Sequence, residues 1–476
     1  MVFTEEVFLY YFLPLALLGY FLIPIRSNST KGSPFLWRNA WLTLSGYAFY
    51  AWFEPWFVLP MIWTNVFDYF VGGLLGKDGL KQRTRNLLLL LSICMNLGLL
   101  GVFKYAVFFQ VNWNALLHAL GHPGFEILRI AFPIGISFYT FHSMSYIIDI
   151  WRGERPVRSF PDFSCFVTLF PQLVAGPILR YHLLAPQLHT RTHRLDKFAQ
   201  GIQLFMVGFA MKILLANPVG KIADDVFAMS SPTPSVAWWG ALAFMLQIYF
   251  DFNGYSIMAY GLGRMFGFEL IRNFDAPYRS ESITEFWRRW HISLSSWLRE
   301  YLYYPLGGNR KGKARTYINL ALVMLLGGFW HGAQWQFIIW GGIHGSWLAF
   351  ERWLGKDSLY HNLPRILRIA ITMVIVLIAW VFFRAENVSH AFHYLACMFG
   401  LSAPIARTLL LTPSVFPHLG VLLMALCMIL VLQPFQAYEW AVHLTWPRLA
   451  ISSTLFFVAV VTMYTQSFNP FLYFQF

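Results

Sequence analysis

The apolar runs constrain this chain most. VFLYYFLPLALLGYFLIPI (residues 7–25) carries no charge, and ILRIAITMVIVLIAWVFF (residues 366–383) carries a single one, Arg368, near its start. Each is about as long as the 20 residues that cross a bilayer core. In hydrocarbon a backbone N–H or C=O has no water to bond, so a spanning segment satisfies its groups internally, as a helix. Such runs recur along the chain, so the first one is expected to be a span rather than a cleaved signal; its flank, Thr4 to Glu6, also lacks a basic start. Charged residues are 12% of the chain, half the share of roughly 25% in soluble domains. An all-α polytopic integral membrane protein is predicted.

Spans are predicted near 7–25, 39–53, 56–76, 87–109, 128–150, 198–216, 235–262, 317–331, 335–351, 366–383, 419–434 and 449–466, about 11–12 transmembrane helices. Two further segments, 163–179 and 283–306, are half-apolar but broken by Pro, Gly or charge. Such backbone is tolerated at membrane depth only where protein or a watery cavity satisfies it. Both read as re-entrant or interfacial. No tandem repeat appears and no soluble stretch is long enough to fold alone, so residues 1–476 are expected to form a single domain.

Lys and Arg collect in alternate loops: 26–38 with Arg26, Lys31 and Arg38, then 77–86, 152–197, 263–316 and 352–365. The intervening loops are poor in both. Basic loops stay cytoplasmic, which predicts an N-terminus outside and, for an even number of spans, a C-terminus outside too. The net charge of +13 is explained by these loops and implies no nucleic-acid partner. Cys94, Cys165, Cys397 and Cys427 are scattered singly, so neither a metal knuckle nor a disulfide framework is indicated.

Polar residues in apolar surroundings are costly, which makes them candidates for function. Four clusters qualify. In QIYFDFNGYS, Asp251 has Gln247 and Tyr255 one turn either side; a structural carboxylate joining two helices is the plainer reading. The segment Glu285 to Arg310 sets Arg288, Arg289, Arg299 and Arg310 among Trp287, Trp290, Trp297 and three tyrosines. That suits either an interfacial anchor or contact with an anionic, phosphate-bearing group. Tyr139, His142 and Tyr146 fall on one helix face, as a hydrogen-bonded stripe or a site. Last, GGFWHGAQW ends an apolar run on His331. Gly327, Gly328 and Gly332 beside it permit close approach to the backbone, which favours a site over packing.

The chemistry left open is narrow. There is no G-x-S-x-G, no H-E-x-x-H, and GLGRMFG has the wrong spacing for a dinucleotide turn. A histidine, with an intrinsic pKa of about 6.5, remains as a general base. A base without its own nucleophile suits direct transfer to an acceptor hydroxyl.

WRRWHISLSSWLREYLYYPLGGN and the WHG histidine 40 residues later resemble the membrane-bound O-acyltransferase family. FPIGISFYTFHSMSYIIDIWRGE, FPQLVAGPILRY, YFDFNGYSIMAYGLGRMFGF, NFDAPYRSESITEFWRRWH and the ending NPFLYFQF are similar to its bacterial branch that serves alginate O-acetylation. The matching core spans about residues 130–345. The resemblance implies a multi-helix fold around a funnel or tunnel. It also implies a cytoplasmic acyl donor, acetyl-CoA or another thioester carried by CoA or a carrier protein, with no bound cofactor or metal. His331 matches the family's catalytic histidine, and His291 maps onto its second position. Arg288, Arg289, Arg310, Trp290, Trp330, Tyr278, Asp251 and Asn253 lie in the matching blocks as donor- or substrate-binding candidates. The implied setting is the bacterial inner membrane. The implied partners are membrane lipid, an exported polysaccharide such as alginate, and a periplasmic or secreted partner acetyltransferase. D-alanyl transfer to teichoic acid, by a sister branch, is the alternative within the family. A transporter is the alternative outside it, although the inverted repeats that would mark one are not found. Span counting puts His331 near the outer surface, whereas a tunnel enzyme requires it buried.

Overall fold

The computed structural model describes residues 1–25, 33–355, 362–403, 416, 418–466 and 471–472. Arg26, Lys31 and most of the NPFLYFQF ending lie outside the described residues. Each of the twelve predicted runs carries a helix, and no strand occurs among the described residues. Among the described residues, five helices are long and apolar enough to cross a membrane: Pro55–Leu75, Gln82–Ala119, Leu195–Phe227, Arg365–Arg384 and Trp446–Thr465. The chain is a multi-pass membrane protein.

The 128–150 expectation needs correction. The helix is only Ile136–Trp151. Pro133 has no N–H to donate, and Gly135 sits at a φ of 85°, outside helical space. The chain before it is extended. Asn114 bonds both polar groups of the Phe125 backbone, and the Gln110 oxygen accepts from Leu128 N at 2.8 Å.

By internal contacts the chain divides into two compact units, one of residues 1–201 with 259–271, the other of residues 202–258 with 272–476. In the first, the predicted break at 163–179 is real: helices Phe160–Thr168 and Phe170–Leu173 give way to non-helical chain up to Tyr181. The helix Ile136–Trp151 satisfies what this break exposes. His142 Nε2 accepts from Leu179 N (3.3 Å), Ser145 Oγ from Tyr181 N (3.2 Å) and Asp149 Oδ2 from His182 N (3.2 Å). The acceptors recur at i, i+3 and i+7 because that spacing returns to one helix face. Of the stripe Tyr139, His142 and Tyr146, His142 thus has a structural partner, and the two tyrosines are buried beside it on the same helix. Nearby, the buried Asp68 accepts from Ser92 Oγ (2.6 Å) and Asn96 Nδ2 (2.8 Å), tying Pro55–Leu75 to Gln82–Ala119.

In the second unit, Asp251 has the structural role that its setting suggested. Lys212 Nζ lies 2.6 Å from Oδ1, and Leu472 N donates to Oδ2 at 2.8 Å. Both ends of the ion pair are buried. Four residues before Lys212 on its own helix, a Cβ on Gly208 would stand 2.5 Å from Gly254 O, so only glycine allows the backbones to approach this closely. Helices Gly312–His331 and Trp335–Leu354 form an antiparallel hairpin in the same unit.

Candidate active site

The segment 283–306 builds one wall of the site. Its first helix, Ile283–Arg289, is fixed at its N-terminus by two carboxylates and a hydroxyl. Ser282 Oγ accepts from Glu285 N at 3.1 Å, and Glu285 reaches back to Glu281 N at 2.8 Å, close to a capping box. Glu351, on the Trp335–Leu354 helix, accepts from Ile283 N (2.7 Å) and from the N–H (2.9 Å) and Oγ1 (2.6 Å) of Thr284. A negative group at a helix N-terminus is favourable, because the first N–H groups have no partner within the helix.

The helix stops at Trp290, and the chain turns through His291 with φ 44° and ψ 54°. His291 and Ala276 are the two non-glycine residues with positive φ among the described residues. That conformation costs an L-residue roughly 1–2 kcal/mol, so neighbouring bonds must hold it. Asn273 does so: its backbone oxygen accepts from Ile292 N (2.9 Å) and its Oδ1 from Ser293 N (3.2 Å). A new helix, Ile292–Leu298, then starts in a different direction. The His291 ring is fully buried, edge-on to Phe252 at 4.7 Å.

The opposite wall is the hairpin. Gly328 and Gly341 bring its helices into backbone contact: a Cβ on Gly328 would lie 2.2 Å from Phe337 O, and one on Gly341 would lie 2.3 Å from Met324 O. Gly332 is filled by the Phe337 ring. The reading of these glycines as room for a ligand is corrected at Gly328 and Gly332, which serve packing. Gly327 borders a cavity.

That cavity has a volume of about 250 Å³. Arg288, Arg299, Trp287, Leu298, His331 and Trp340 contribute to its lining. Arg288 and Arg299 are exposed, whereas His331 and Trp340 are buried. The cavity thus runs from a cationic rim to an imidazole at its protected end. His331 is the last residue of its helix and is 8% exposed, so protein encloses it at the end of its span. The chain folds back at Gly332, and the ring is enclosed by Trp330 (5.0 Å between centroids), Trp340 (5.2 Å) and Phe383 (5.3 Å). The His291 ring lies 6.4 Å from it.

The other candidates separate into two groups. Trp330 stands beside both histidines. Trp290 and Tyr278 lie behind: Trp290 packs on Tyr278 (6.0 Å) and Trp380 (5.1 Å), and Trp380 on Trp340 (5.8 Å). They buttress the Trp340 ring on which His331 rests. Arg289 is turned away from the cavity and bound to Glu285 (2.8 Å) and Asp275 O (3.1 Å). Arg310 is exposed on a turn and donates to Tyr304 O. Asp251 and Asn253 do not border the cavity. One residue escaped sequence reasoning. His344 is fully buried one turn after Trp340, 5.0 Å from that ring and stacked on Phe286 at 6.2 Å. Neither of its ring nitrogens hydrogen-bonds a described residue. The signal available was a histidine inside an apolar run, four residues after a tryptophan.

No group of three or more potential metal ligands occurs among the described residues. A family model described as MBOAT, membrane-bound O-acyltransferase family, matches residues 84–388. A protein of Azotobacter vinelandii, "Probable alginate O-acetylase AlgI", is 44% identical over all of both chains. A "Peptidoglycan O-acetyltransferase" of Helicobacter pylori is 35% identical over 84% of this chain and 80% of its own. A "Teichoic acid D-alanyltransferase" of Streptococcus thermophilus is 30% identical over 47% of this chain and 59% of its own.

Proposed function

The chain belongs to the membrane-bound O-acyltransferase family, and from that premise we propose that it moves an acetyl group from a cytoplasmic thioester to an acceptor across the bacterial inner membrane. The end use is O-acetylation of an exported polysaccharide, and alginate is the polymer named for relatives that match the full chain. The D-alanyl alternative is disfavoured, since relatives named for it match 47% and 60% of this chain at 30% and 29% identity, against 44% over all of it for the alginate O-acetylase relative. A transporter reading has no family support.

One observation carries the mechanism: an imidazole at the buried end of a cavity whose exposed rim holds two guanidinium groups. A volume of about 250 Å³ is below the roughly 300–1,000 Å³ of pockets that enclose whole drug-sized ligands. It suits the narrow acyl-thioester arm of acetyl-CoA or of a carrier protein. The phosphates of such a donor then remain at the rim, near Arg288 and Arg299. His331 takes the proton of the acceptor hydroxyl as its oxygen attacks the thioester carbonyl. The C–O bond forms, the C–S bond breaks, and the departing thiolate recovers the proton from the imidazolium. Enclosure by Trp330, Trp340 and Phe383 excludes water that would otherwise hydrolyse the donor. His291 orients the donor carbonyl from beside Trp330. The N-terminus lies outside and the basic loops inside, with a periplasmic or secreted acetyltransferase receiving the acetyl group for the polymer.

Removing a general base costs on the order of 10²–10⁴-fold in rate. His331→Ala should therefore abolish polymer acetylation while its level in the membrane is unchanged. Near-normal acetyl content at equal membrane abundance would return His331 to a packing role.

A further inference from the structure

The first unit holds a concentration of positive charge that the acyl-transfer reading does not use. Tyr20, fully buried at the end of the Leu13–Leu22 helix, is its centre. Its hydroxyl donates to Phe266 O (2.9 Å) and accepts from Arg191 Nε (2.8 Å). Having spent its one proton, it meets His193 Nε2 (2.9 Å) as an acceptor, which puts the imidazole proton on Nε2. Arg191 is 6% exposed and lies over the Phe35 ring (4.3 Å) and the Phe268 ring (4.4 Å). One of its terminal nitrogens, Nη2, is buried with no hydrogen-bond partner. Arg38, 7% exposed, lies 4.9 Å over Tyr20 and donates Nε to Ile23 O at 2.8 Å.

Neither Arg38 nor Arg191 has a carboxylate partner among the described residues. The surrounding acids are already engaged: Asp196 by Arg194 (2.8 Å), and Glu269 by both Lys197 (3.0 Å) and Arg264 (3.2 Å). Among the described residues of this cluster, five cations (Arg38, Arg191, Arg194, Lys197 and Arg264) thus face two carboxylates. Burial, Arg191, Arg38 and Lys197 together push the His193 imidazole down to about 4. A buried guanidinium without a counter-charge is costly, and an anion supplied from outside relieves it.

A cavity of about 140 Å³ opens at this cluster, lined by His193, Arg194 and Arg264 on one side and Phe21, Leu195 and Phe198 on the other. Phe21 is 42% exposed and Leu195 89% exposed. Leu15, Leu18 and Leu22, on the same helix as Phe21, are exposed as well. An apolar helix face therefore leads up to a cationic pocket.

We infer that this pocket binds a phosphate group, and that the apolar face beside it makes the headgroup of an anionic phospholipid the fitting source. The phosphate enters between His193, Arg194 and Arg264 and neutralises the field of Arg38 and Arg191 behind them. The acyl chains lie along Leu15, Leu18 and Leu22. Arginine is suited to this because its planar fork pairs with phosphate oxygens. Basic pockets between membrane helices are known to receive anionic headgroups.

The test uses the full chain purified in detergent and stripped of lipid. Thermal unfolding is followed while dioctanoyl phosphatidylglycerol, dioctanoyl phosphatidylcholine or inorganic phosphate is added. Saturable stabilisation by phosphatidylglycerol and none by phosphatidylcholine is expected. The apparent affinity should fall at least tenfold in Arg194→Gln, whose side chain is exposed and whose loss does not threaten folding, and in Arg191→Gln. Equal stabilisation by inorganic phosphate, lost in the same variants, supports the anion site and assigns it to the free ion. The proposal is overturned if no anion stabilises the protein, or if Arg194→Gln and a folded Arg191→Gln respond like the parent.

Discussion

Gly328→Ala tests whether the hairpin places His331. The added methyl would stand 2.2 Å from Phe337 O, where a Cβ contact below 3.0 Å does not occur. The obstacle is backbone in the neighbouring helix, which cannot rotate aside, so the two helices must part by about 0.8 Å (3.0 minus 2.2). His331 lies three residues further along the same helix, and its ring rests on Trp340 across the gap. Overpacking of this kind costs about 1–3 kcal/mol of stability, a fraction of what a folded protein has. Displacing a catalytic group by about 1 Å can cost on the order of 10²-fold in rate. Activity should therefore fall far more than abundance. Gly342→Ala, on the facing helix and outside the cavity lining, is the control. Its methyl would meet only Leu325 Cδ2, at 3.7 Å, an ordinary contact. It should lose about tenfold at most, equivalent to about 1.4 kcal/mol. The assay is acetyl transfer to polymer, normalised to protein quantified in the membrane. Equal activity of the two variants, or a greater loss at Gly342, would refute the claim that backbone contact at Gly328 sets the histidine.

Further outcomes follow from the same geometry. Neutral substitution of Arg288 or Arg299 should raise the KM for acetyl-CoA roughly ten- to a hundredfold, the range of one charge-assisted hydrogen bond, whereas Arg289→Gln and Arg310→Gln should not; steady-state kinetics over donor concentration separates them. Lys212→Met strands the buried Asp251 carboxylate and should destabilise by about 3–5 kcal/mol, read as a lower thermal midpoint in detergent, with partial recovery in a Lys212→Met, Asp251→Leu double variant. Single cysteines introduced at 312–316 should react with an impermeant thiol reagent only from the cytoplasmic side, and those at 225–233 only from outside; the opposite pattern would reverse the orientation and the side from which the donor enters.

Where helices form was legible in the sequence, because partition between water and hydrocarbon is decided run by run. Each of the twelve apolar stretches is helical, and the breaks at 163–179 and 283–306 fall where Pro, Gly and charge interrupt the run. The exception is 128–135, where Pro133 and the left-handed Gly135 outweigh hydropathy and delay the helix to Ile136. His331 was legible too, through the resemblance of its WHG motif and as a histidine at the end of a span. Which residues join it was not. Arg288 and Arg289 are adjacent in sequence, yet a helix turns about 100° per residue, so one borders the cavity while the other pairs with Glu285. For Asp251 the plainer reading, a structural carboxylate, was legible, but its partner Lys212, 39 positions away, was not. Gly328 and Gly332 looked like space for a ligand until Phe337 filled both positions. A side chain's solubility is its own property, whereas its partner depends on the angle and distance between helices, which the whole packed structure sets.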